Sequence, residues 1–361
     1  MKKISSLFLN IFLLFLSIFS LYFLFQVKAE QSQIQNSKTI VTTTTILRDA
    51  VKHLIGQVDF EEDKDKKYQK IDSFNKVISL MGVGTDPHNY RAKPSDRQKI
   101  KDAAFVIYHG LHLESQMVST FNKIKDSDKI WNTGDYLKQK YQNSLIKDED
   151  DSTEYDPHIW FDIDLWLSSV EGLKEKIKSL IPSSHEDIEK IENNFVCFKK
   201  KLEELKIENI NKFTKLKETL GNKFIIVTSH DAFSYWQKFC EKNNCSFEFK
   251  CLQGISTQEE VSLFTINQIA KEIPDEAKAF FKESSTSPRI LDGLRERVNY
   301  LRRQKNKQIE EIKIPENIEL YSDSLGNDYK SETLNNISYK HSTYIGAFLN
   351  NINIIELLNK I

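Results

Sequence analysis

The sequence predicts an α/β protein made of two lobes with mostly parallel sheets, joined by one long rigid helix. Segments rich in β-branched residues alternate with helical patterns from residue 39 onwards. A run rich in Lys, Glu and Leu, with no Gly or Pro inside, extends over 184–220, and the alternation resumes after it. Alternating strands and helices are typical of parallel sheets with helical crossovers. The expected boundaries are therefore 38–183 for the first lobe and 221–361 for the second.

The elements predicted in the first lobe follow the alternation in order. They are a strand at 39–46, a helix at 47–55, a strand at 76–83, a helix at 94–103, a strand at 104–108, a helix at 113–125 and a short strand at 130–131. The acidic stretch 147–154 lacks apolar residues and is predicted to be a surface loop.

The long helix and the second lobe are predicted in the same way. Ser184 is the expected N-cap of the helix and Gly221 its expected end. Beyond it come a strand at 224–227, a helix at 232–243, a strand at 247–250, a helix at 258–271, a strand at 277–282, a helix at 288–303, a strand at 318–321 and a helix from 342.

The N-terminus predicts export. Lys2 and Lys3 precede an apolar run from about residue 7 to 25, and small residues at 27–29 suit a signal peptidase. An uncleaved membrane anchor is the alternative for 1–29, since the run is near the length that spans a bilayer. Either reading places the remaining chain at the periplasmic or extracellular face of the cytoplasmic membrane. No Cys follows the run, so the sequence gives no support for a lipid anchor.

Charge and cysteine content narrow the function classes. Lys and Arg number 51 and Asp and Glu 52, so no strong field favours nucleic acid as a partner. Four cysteines are too few for a disulfide scaffold. One disulfide among Cys240, Cys245 and Cys251 is plausible after export, with its pairing left open. A cysteine zinc site is the competing interpretation, although no CxxC pair is present.

Four polar clusters fall at the ends of predicted strands, where open α/β sheets place their ligands. They contain His88 in GTDPHNY, His158 in DPHIW, His230 in TSHDAF and Asp323 in YSDS. Three imidazoles and one carboxylate would complete a four-coordinate site for a borderline-soft divalent ion. Taken singly, a histidine in such a position is more often a hydrogen-bonded turn or core residue than a ligand, and Asp323 alone would be interpreted as a cap.

Several acidic residues are candidates to support these histidines. In the two Asp-Pro-His motifs, Pro stiffens the turn while Asp86 or Asp156 can accept from the backbone or from the second imidazole N–H. Asp231 follows His230 directly and is a further candidate, and Glu283 ends a predicted strand in the second lobe. Of the other histidines, His53 and His341 are predicted to lie at the surface, and His109 is predicted to be solvated or to cap an element, with a position at the cleft rim as the alternative.

The motifs together resemble a known family. GTDPHNY, AAFVIYHGLHLESQM, DPHIWFD, VTSHDAF, QGISTQEE, FFKESSTSP and LYSDSLG occur in the order found in the zinc- and manganese-binding receptors of ABC importers. The resemblance covers nearly all of the chain after the export segment. It implies two α/β lobes joined by a rigid helix, with the metal in the cleft between them and only modest closure on binding.

The resemblance also implies the ligands. The family's metal ligands fall on His88, His158, His230 and Asp323, and a third imidazole at His230 favours zinc, with manganese still open. Two departures are visible: the acidic stretch 147–154 has no His, unlike the His-rich loop of many zinc receptors, and the residues after His88 are more basic.

The expected function is therefore a non-catalytic receptor that carries one zinc or manganese ion per chain to the membrane permease of an ABC importer, which has a cytoplasmic ATPase. A monomer is expected, with contact to the membrane through the permease or an uncleaved anchor. Two alternatives remain open: an exported metallohydrolase in which Asp323 acts as base, and an adhesin-like surface protein stabilised by metal.

Overall fold

The computed structural model describes residues 38–357, apart from 60, 125–126, 149–152, 184, 221–224, 246, 259, 276, 278 and 306–308. The predicted export segment 1–29 lies outside this range, as do Ser184 and Gly221 at the predicted ends of the long helix. Among the described residues, no helix combines the length and the apolar composition needed to cross a bilayer.

A four-stranded parallel sheet forms the first half of the fold. Its strands are β1 (Thr39–Thr42), β2 (Lys76–Ser79), β3 (Phe105–Tyr108) and β4 (Ile130–Asn132). The order across the sheet is β2-β1-β3-β4, with every pair parallel. The residues of β1 and β3 are almost wholly buried, as expected for a parallel sheet covered on both faces.

The helices of this half are α1 (Thr45–Leu54), α2 (Pro94–Asp102), α3 (Val118–Phe121), α4 (Thr133–Lys140) and α5 (Ile163–Ser179). The strand predicted at 39–46 stops at Thr42, because the Thr44 side chain accepts from the Leu47 N–H and caps α1. The helix predicted at 113–125 is only a 3-10 turn followed by α3, and α4 and α5 were not predicted.

The long helix α6 (Asp187–Leu220) has 34 residues, which corresponds to about 50 Å. Its first half is bound to the first sheet region, where buried Asn194 donates to Leu54 O at 3.1 Å and to Gln69 O at 2.8 Å. Its second half is bound to the other region, where buried Asn209 accepts from Trp236 Nε1 at 3.0 Å. The helix is therefore held by specific side-chain hydrogen bonds in both of its halves.

The second half repeats the strand order of the first. Its strands are β5 (Ile225–His230), β6 (Glu248–Gln253), β7 (Lys282–Glu283) and β8 (Glu319–Leu320). β5 pairs with β6 and β7 with β8, all parallel, and a parallel bridge between Val227 and Phe280 joins the two pairs. The order β6-β5-β7-β8 matches that of the first sheet.

Further helices and a hairpin complete the described part of this half. The helices are α7 (Ser234–Lys242), α8 (Leu263–Glu272), α9 (Pro288–Gln304) and α10 (Tyr344–Glu356). The antiparallel hairpin of β9 (Ser331–Leu334) and β10 (Ile337–Lys340) was not predicted. Aromatic side chains from several elements pack around Trp236, among them Phe161 at 5.9 Å and Phe348 at 4.9 Å between ring centroids. This core lies directly beneath the strand ends that carry the polar clusters.

Candidate metal centre

The fold brings the four predicted ligands together from both halves of the chain. The segments that carry His88 and His158 belong to the first half, whereas His230 ends β5 and Asp323 follows β8 in the second half. Their ligand atoms all lie within 4.8 Å of one another, and each residue is at most 2% exposed. The candidate site is thus a buried junction between the two sheets.

His88 is held in a tight turn after β2. Asp86 Oδ1 accepts from the His88 backbone N–H at 2.9 Å, which fixes the turn. The other oxygen, Asp86 Oδ2, accepts from Asn89 Nδ2 at 2.8 Å and from Thr257 Oγ1 at 2.6 Å. Since Thr257 belongs to the second half, Asp86 both orients His88 and joins the two halves.

His158 is oriented by Asp156 in a similar turn. Asp156 Oδ1 accepts from the His158 backbone N–H at 2.8 Å and lies 2.7 Å from His158 Nδ1. Because Asp156 engages Nδ1, the other ring nitrogen, Nε2, is directed towards the cluster. The Trp160 ring packs edge-on at 5.3 Å between centroids and shields this histidine from water.

Glu283 plays the corresponding role for His230. One carboxylate oxygen accepts from the backbone N–H groups of Ser229 at 2.7 Å and His230 at 3.0 Å. The other oxygen lies 2.6 Å from His230 Nδ1. Both Glu283 and His230 are buried, so this carboxylate fixes the ring with Nε2 facing the cluster.

Three separations within the cluster are close to the edge lengths of a tetrahedral metal site, and all its ligand atoms lie within 4.8 Å of one another. His88 Nε2 lies 3.3 Å from His158 Nε2, and the two oxygens of Asp323 lie 3.2 Å from His158 Nε2 and 3.4 Å from His230 Nε2. Metal–ligand bonds of about 2.0–2.1 Å imply tetrahedral edges of about 3.3 Å. His230 Nε2 and Asp323 Oδ1 are buried without a hydrogen-bond partner, which a bound cation would satisfy.

The surroundings of the three histidines shift their pKa values in different directions, so two of the rings carry protons that a cation would displace. Burial lowers the pKa of His88 to about 3, so this ring is neutral. Burial acts in the same direction on His158, but the carboxylates of Asp156 and Asp323 outweigh it and raise the pKa to about 9. Likewise, Glu283 and Asp323 overcome burial and raise the pKa of His230 well above its usual range.

The charge balance follows from these shifts. Burial acts to raise the pKa of Asp323, but His230 and His158 hold it well below its usual range. Two imidazole protons and one divalent cation each carry two positive charges, so a cation that displaces the protons of His158 and His230 leaves the net charge of the cluster unchanged. Two protons and one divalent cation are therefore electrostatically interchangeable in this cluster.

The polar residues around the four ligands include several that sequence analysis missed. Ser285 Oγ donates to Asp323 Oδ2 at 2.8 Å. Gln258 Nε2 donates to His88 O at 2.7 Å and to Ser115 Oγ at 2.6 Å, across the junction of the two halves. QGISTQEE and FFKESSTSP, which contain Gln258 and Ser285, marked the two segments, but only the fold shows which atoms they meet.

Two predictions about neighbouring residues are placed differently by the structure. Asp231 Oδ1 accepts from Ser234 Oγ at 2.6 Å, and among the described contacts it makes no hydrogen bond to the four clustered residues. His109, expected at the cleft rim or in solvent, is buried, with Nε2 2.9 Å from Thr44 Oγ1. Burial lowers the pKa of His109 to about 3, so it is a neutral structural residue.

The comparisons with known proteins identify the family. Residues 40–357 match the family described as ZnuA, zinc-uptake complex component A, periplasmic. The chain belongs to this family. A ZnuA-family relative, the zinc-binding protein TroA of Treponema pallidum, is 29% identical over 317 residues, covering 88% of this chain and 87% of the relative. The manganese-binding lipoprotein MntA of Bacillus subtilis is 30% identical over 289 residues, covering 78% and 81%.

Solved structures of similar proteins agree with the fold. The periplasmic zinc-binding protein TroA superposes with a TM-score of 0.71 at 28% identity, covering 90% of this chain and 99% of TroA. A laminin-binding adhesin of Streptococcus agalactiae has a TM-score of 0.63 at 19% identity, which shows a shared fold alone. The predicted fold class and family resemblance are both confirmed.

Proposed function

We propose that this protein is an extracytoplasmic receptor that captures one divalent transition metal and delivers it to an ABC importer. The observation that carries the proposal is the convergence of His88, His158, His230 and Asp323, buried and at tetrahedral spacing. Membership of the ZnuA family supports the same role, since receptors of such importers work with a membrane permease and its ATPase.

The arrangement favours carrying over catalysis. A catalytic zinc centre has three protein ligands and an open position for water. Here the ligand atoms of four side chains face one another, and Asp323 lies between two of the histidines rather than beside a free position. We infer that the chain has no hydrolase activity, because Asp323 is placed as a ligand and not as a base.

Zinc is the favoured cargo. Three imidazole nitrogens and one carboxylate, with ligand atoms 3.3 Å apart at His88 and His158 and all within 4.8 Å, suit a small tetrahedral ion. Manganese prefers oxygen ligands and a larger coordination number. Both oxygens of Asp323 face the cluster, so a second oxygen could enter the coordination of a larger ion. This feature is compatible with relatives named for zinc and for manganese.

The division of the chain into lobes is part of this proposal. We infer a first lobe at 38–183 and a second at 221–361, with the linking helix between them and the metal at their junction. The ligands come from both, so a bound ion would hold the lobes together. We propose that the receptor acts as a monomer, because one chain supplies all four ligands.

The proposal is tested by titrating the metal-free protein with zinc and, separately, with manganese while thermal unfolding is followed. A metal that binds only the folded state raises the unfolding temperature by mass action. We expect one site per chain and tighter binding of zinc. His158→Ala should weaken zinc binding by more than about 100-fold, since even the residues that orient metal ligands typically contribute 10- to 100-fold.

A matched control is His112→Ala, because the His112 side chain is exposed and lies 3.0 Å from Glu154. This variant should bind zinc as the parent does. Failure of both metals to raise the unfolding temperature, or equal binding by the His158→Ala variant and the parent, would refute the proposed site.

A further inference from the structure

The turn that ends helix α7 contains two cysteines in an unusual position. Asn243 follows the helix, and Asn244 has φ of +60°, the left-handed conformation that terminates many helices. The Asn244 N–H donates to Glu241 O at 3.1 Å and the Cys245 N–H donates to Cys240 O at 2.8 Å. These two hydrogen bonds define a Schellman motif.

In a Schellman motif, the residue after the left-handed position commonly makes an apolar contact with the residue five positions before it. Here those two residues are Cys245 and Cys240. Both side chains are fully buried, and their thiols are hydrogen-bonded to each other. The backbone motif therefore brings the two thiols together, so that a disulfide between them would replace an existing hydrogen bond.

The other two cysteines lie in different surroundings. Cys251 is on β6, where it is opposite Thr228 of β5. Cys197 is on the long helix, near Asp63 and Lys201. All four residues are present as thiols in the described structure. Among the pairings left open by the sequence, that of Cys240 with Cys245 is supported by a hydrogen bond between the two thiols.

We propose that Cys240 and Cys245 form a disulfide once the chain is exported, and that this bond fastens the end of α7. The inference depends on export into an oxidising compartment and not on metal capture. Cys240 Sγ also lies 3.8 Å from Asn209 Nδ2 of the long helix, whose Oδ1 accepts from Trp236 Nε1. The bond would thus fasten α7 where it packs against α6.

The oxidant is a disulfide of a small molecule or of a thiol oxidase. The Cys245 thiolate attacks one sulfur of this disulfide, forms a mixed disulfide and releases one thiolate. The Cys240 thiol then loses its proton to water, and its sulfur attacks Cys245 Sγ and expels the second thiolate. Two cysteine thiols are oxidised by two electrons, and the oxidant is reduced to two thiols.

The order of attack follows from the surroundings of the two thiols. The Cys240 thiol, as hydrogen-bond donor, and the nearby Lys217 lower the pKa of Cys245. Burial raises the pKa of Cys240 well above its usual range. Glu241, Lys242 and Asn244 are exposed around the pair, so opening of this surface turn is sufficient to admit the oxidant.

The chain is well suited to a direct test. Trypsin cleaves after Lys238, Lys242 and Lys250, which places Cys240, Cys245 and Cys251 on three separate peptides. Protein recovered from the extracytoplasmic fraction is unfolded in a thiol-alkylating reagent and digested without reductant. We expect the peptide 239–242 linked to 243–250, with Cys197 and Cys251 alkylated. Alkylation of all four cysteines, or a link to Cys251, would overturn the proposal.

A second measurement tests the proposed role. Reduction should lower the unfolding temperature of the metal-free protein by about 3 °C, as expected for a bond that closes a short loop. Cys251→Ser is the matched control and should retain both the linked peptides and the shift. Zinc binding should be the same before and after reduction, which separates this inference from the proposed metal site. An unchanged unfolding temperature on reduction would refute the fastening role.

Discussion

Replacing Glu283 by Gln should weaken zinc binding 10- to 100-fold without altering the fold. Glu283 lies 2.6 Å from His230 Nδ1 and is buried, so its charge acts on the metal through the imidazole ring. A carboxylate in this position is about 6 Å from a metal bound at Nε2, and two unit charges at that distance attract by about 2.8 kcal/mol at an effective dielectric constant of about 20.

The value of about 2.8 kcal/mol applies to the exchange of a proton on His230 for a divalent metal ion. The metal brings two positive charges but displaces the proton that Glu283 stabilises on His230. The difference is one unit charge, which gives an upper limit of about 100-fold in affinity. The typical contribution of residues that orient metal ligands, 10- to 100-fold, agrees with it. The neutral side chain of the Glu283→Gln variant would also place an amide NH₂ group against a backbone N–H or the ring, which acts in the same direction.

The assay is competition for zinc between the protein and a chromophoric chelator at fixed pH. Glu332→Gln is the matched control, because Glu332 pairs with His341 at 3.0 Å in the same half of the protein, outside the cluster. A Glu283→Gln variant that folds and binds zinc within about 3-fold of the parent would show that the carboxylate does not tune the site.

Three further predictions concern the pH dependence of stability and zinc binding, the Gln258 hydrogen bond across the junction of the two halves, and the backbone at Gly110. The pKa of His158 is raised to about 9, so its stabilising effect on the metal-free protein is complete below about pH 6.5 and is lost as pH rises through 9. Urea unfolding of the metal-free protein across this pH range should show that loss of stability. Zinc affinity should instead rise with pH, and titration in weak buffer should detect the release of up to about two protons per bound ion. Gln258→Ala removes the hydrogen bond to His88 O and should speed zinc dissociation about 10-fold in stopped-flow chelation. An unchanged dissociation rate would show that this hydrogen bond across the junction does not help to retain the metal. Gly110 has φ of +73°, and an added Cβ would lie 1.9 Å from Asn132 Oδ1, so Gly110→Ala should destabilise the fold by about 1–3 kcal/mol in denaturant titrations.

The sequence predicted the alternation of strands and helices well because local periodicity carries that information. It misplaced element ends where side-chain capping decides them, as at Thr44, which shortens the first strand. The helix predicted at 113–125 begins only at Val118, because the left-handed residues Leu111 and His112 and the 3-10 turn at Ser115–Met117 precede it. The hairpin at 331–340 was missed because its strands are short and largely polar.

The candidate site was predictable to the level of residues but not of contacts. The four ligands stand in separate motifs at strand ends, and the structure brings them together. His53 and His341, predicted at the surface, are both buried. His53 stacks on Phe198 of the long helix at 3.9 Å between centroids, and His341 pairs with Glu332. Phe198 is distant from His53 in sequence, and Glu332 is brought to His341 by the hairpin that was not predicted, so no local pattern indicated either partner.

The long helix fixes how far the two halves can separate. Asn194 and Asn209 attach it to opposite halves at points 15 residues, or about 22 Å, apart. A tilt of about 5° over this distance displaces one attachment point relative to the other by about 2 Å. That displacement is about the length of a metal–nitrogen bond, so a tilt transmitted to the junction would pull His230 and Asp323 away from His88 and His158. If the protein carries a metal as proposed, a partner that binds both halves and tilts one against the other would release the ion. Neither unfolding nor a flexible hinge would be needed.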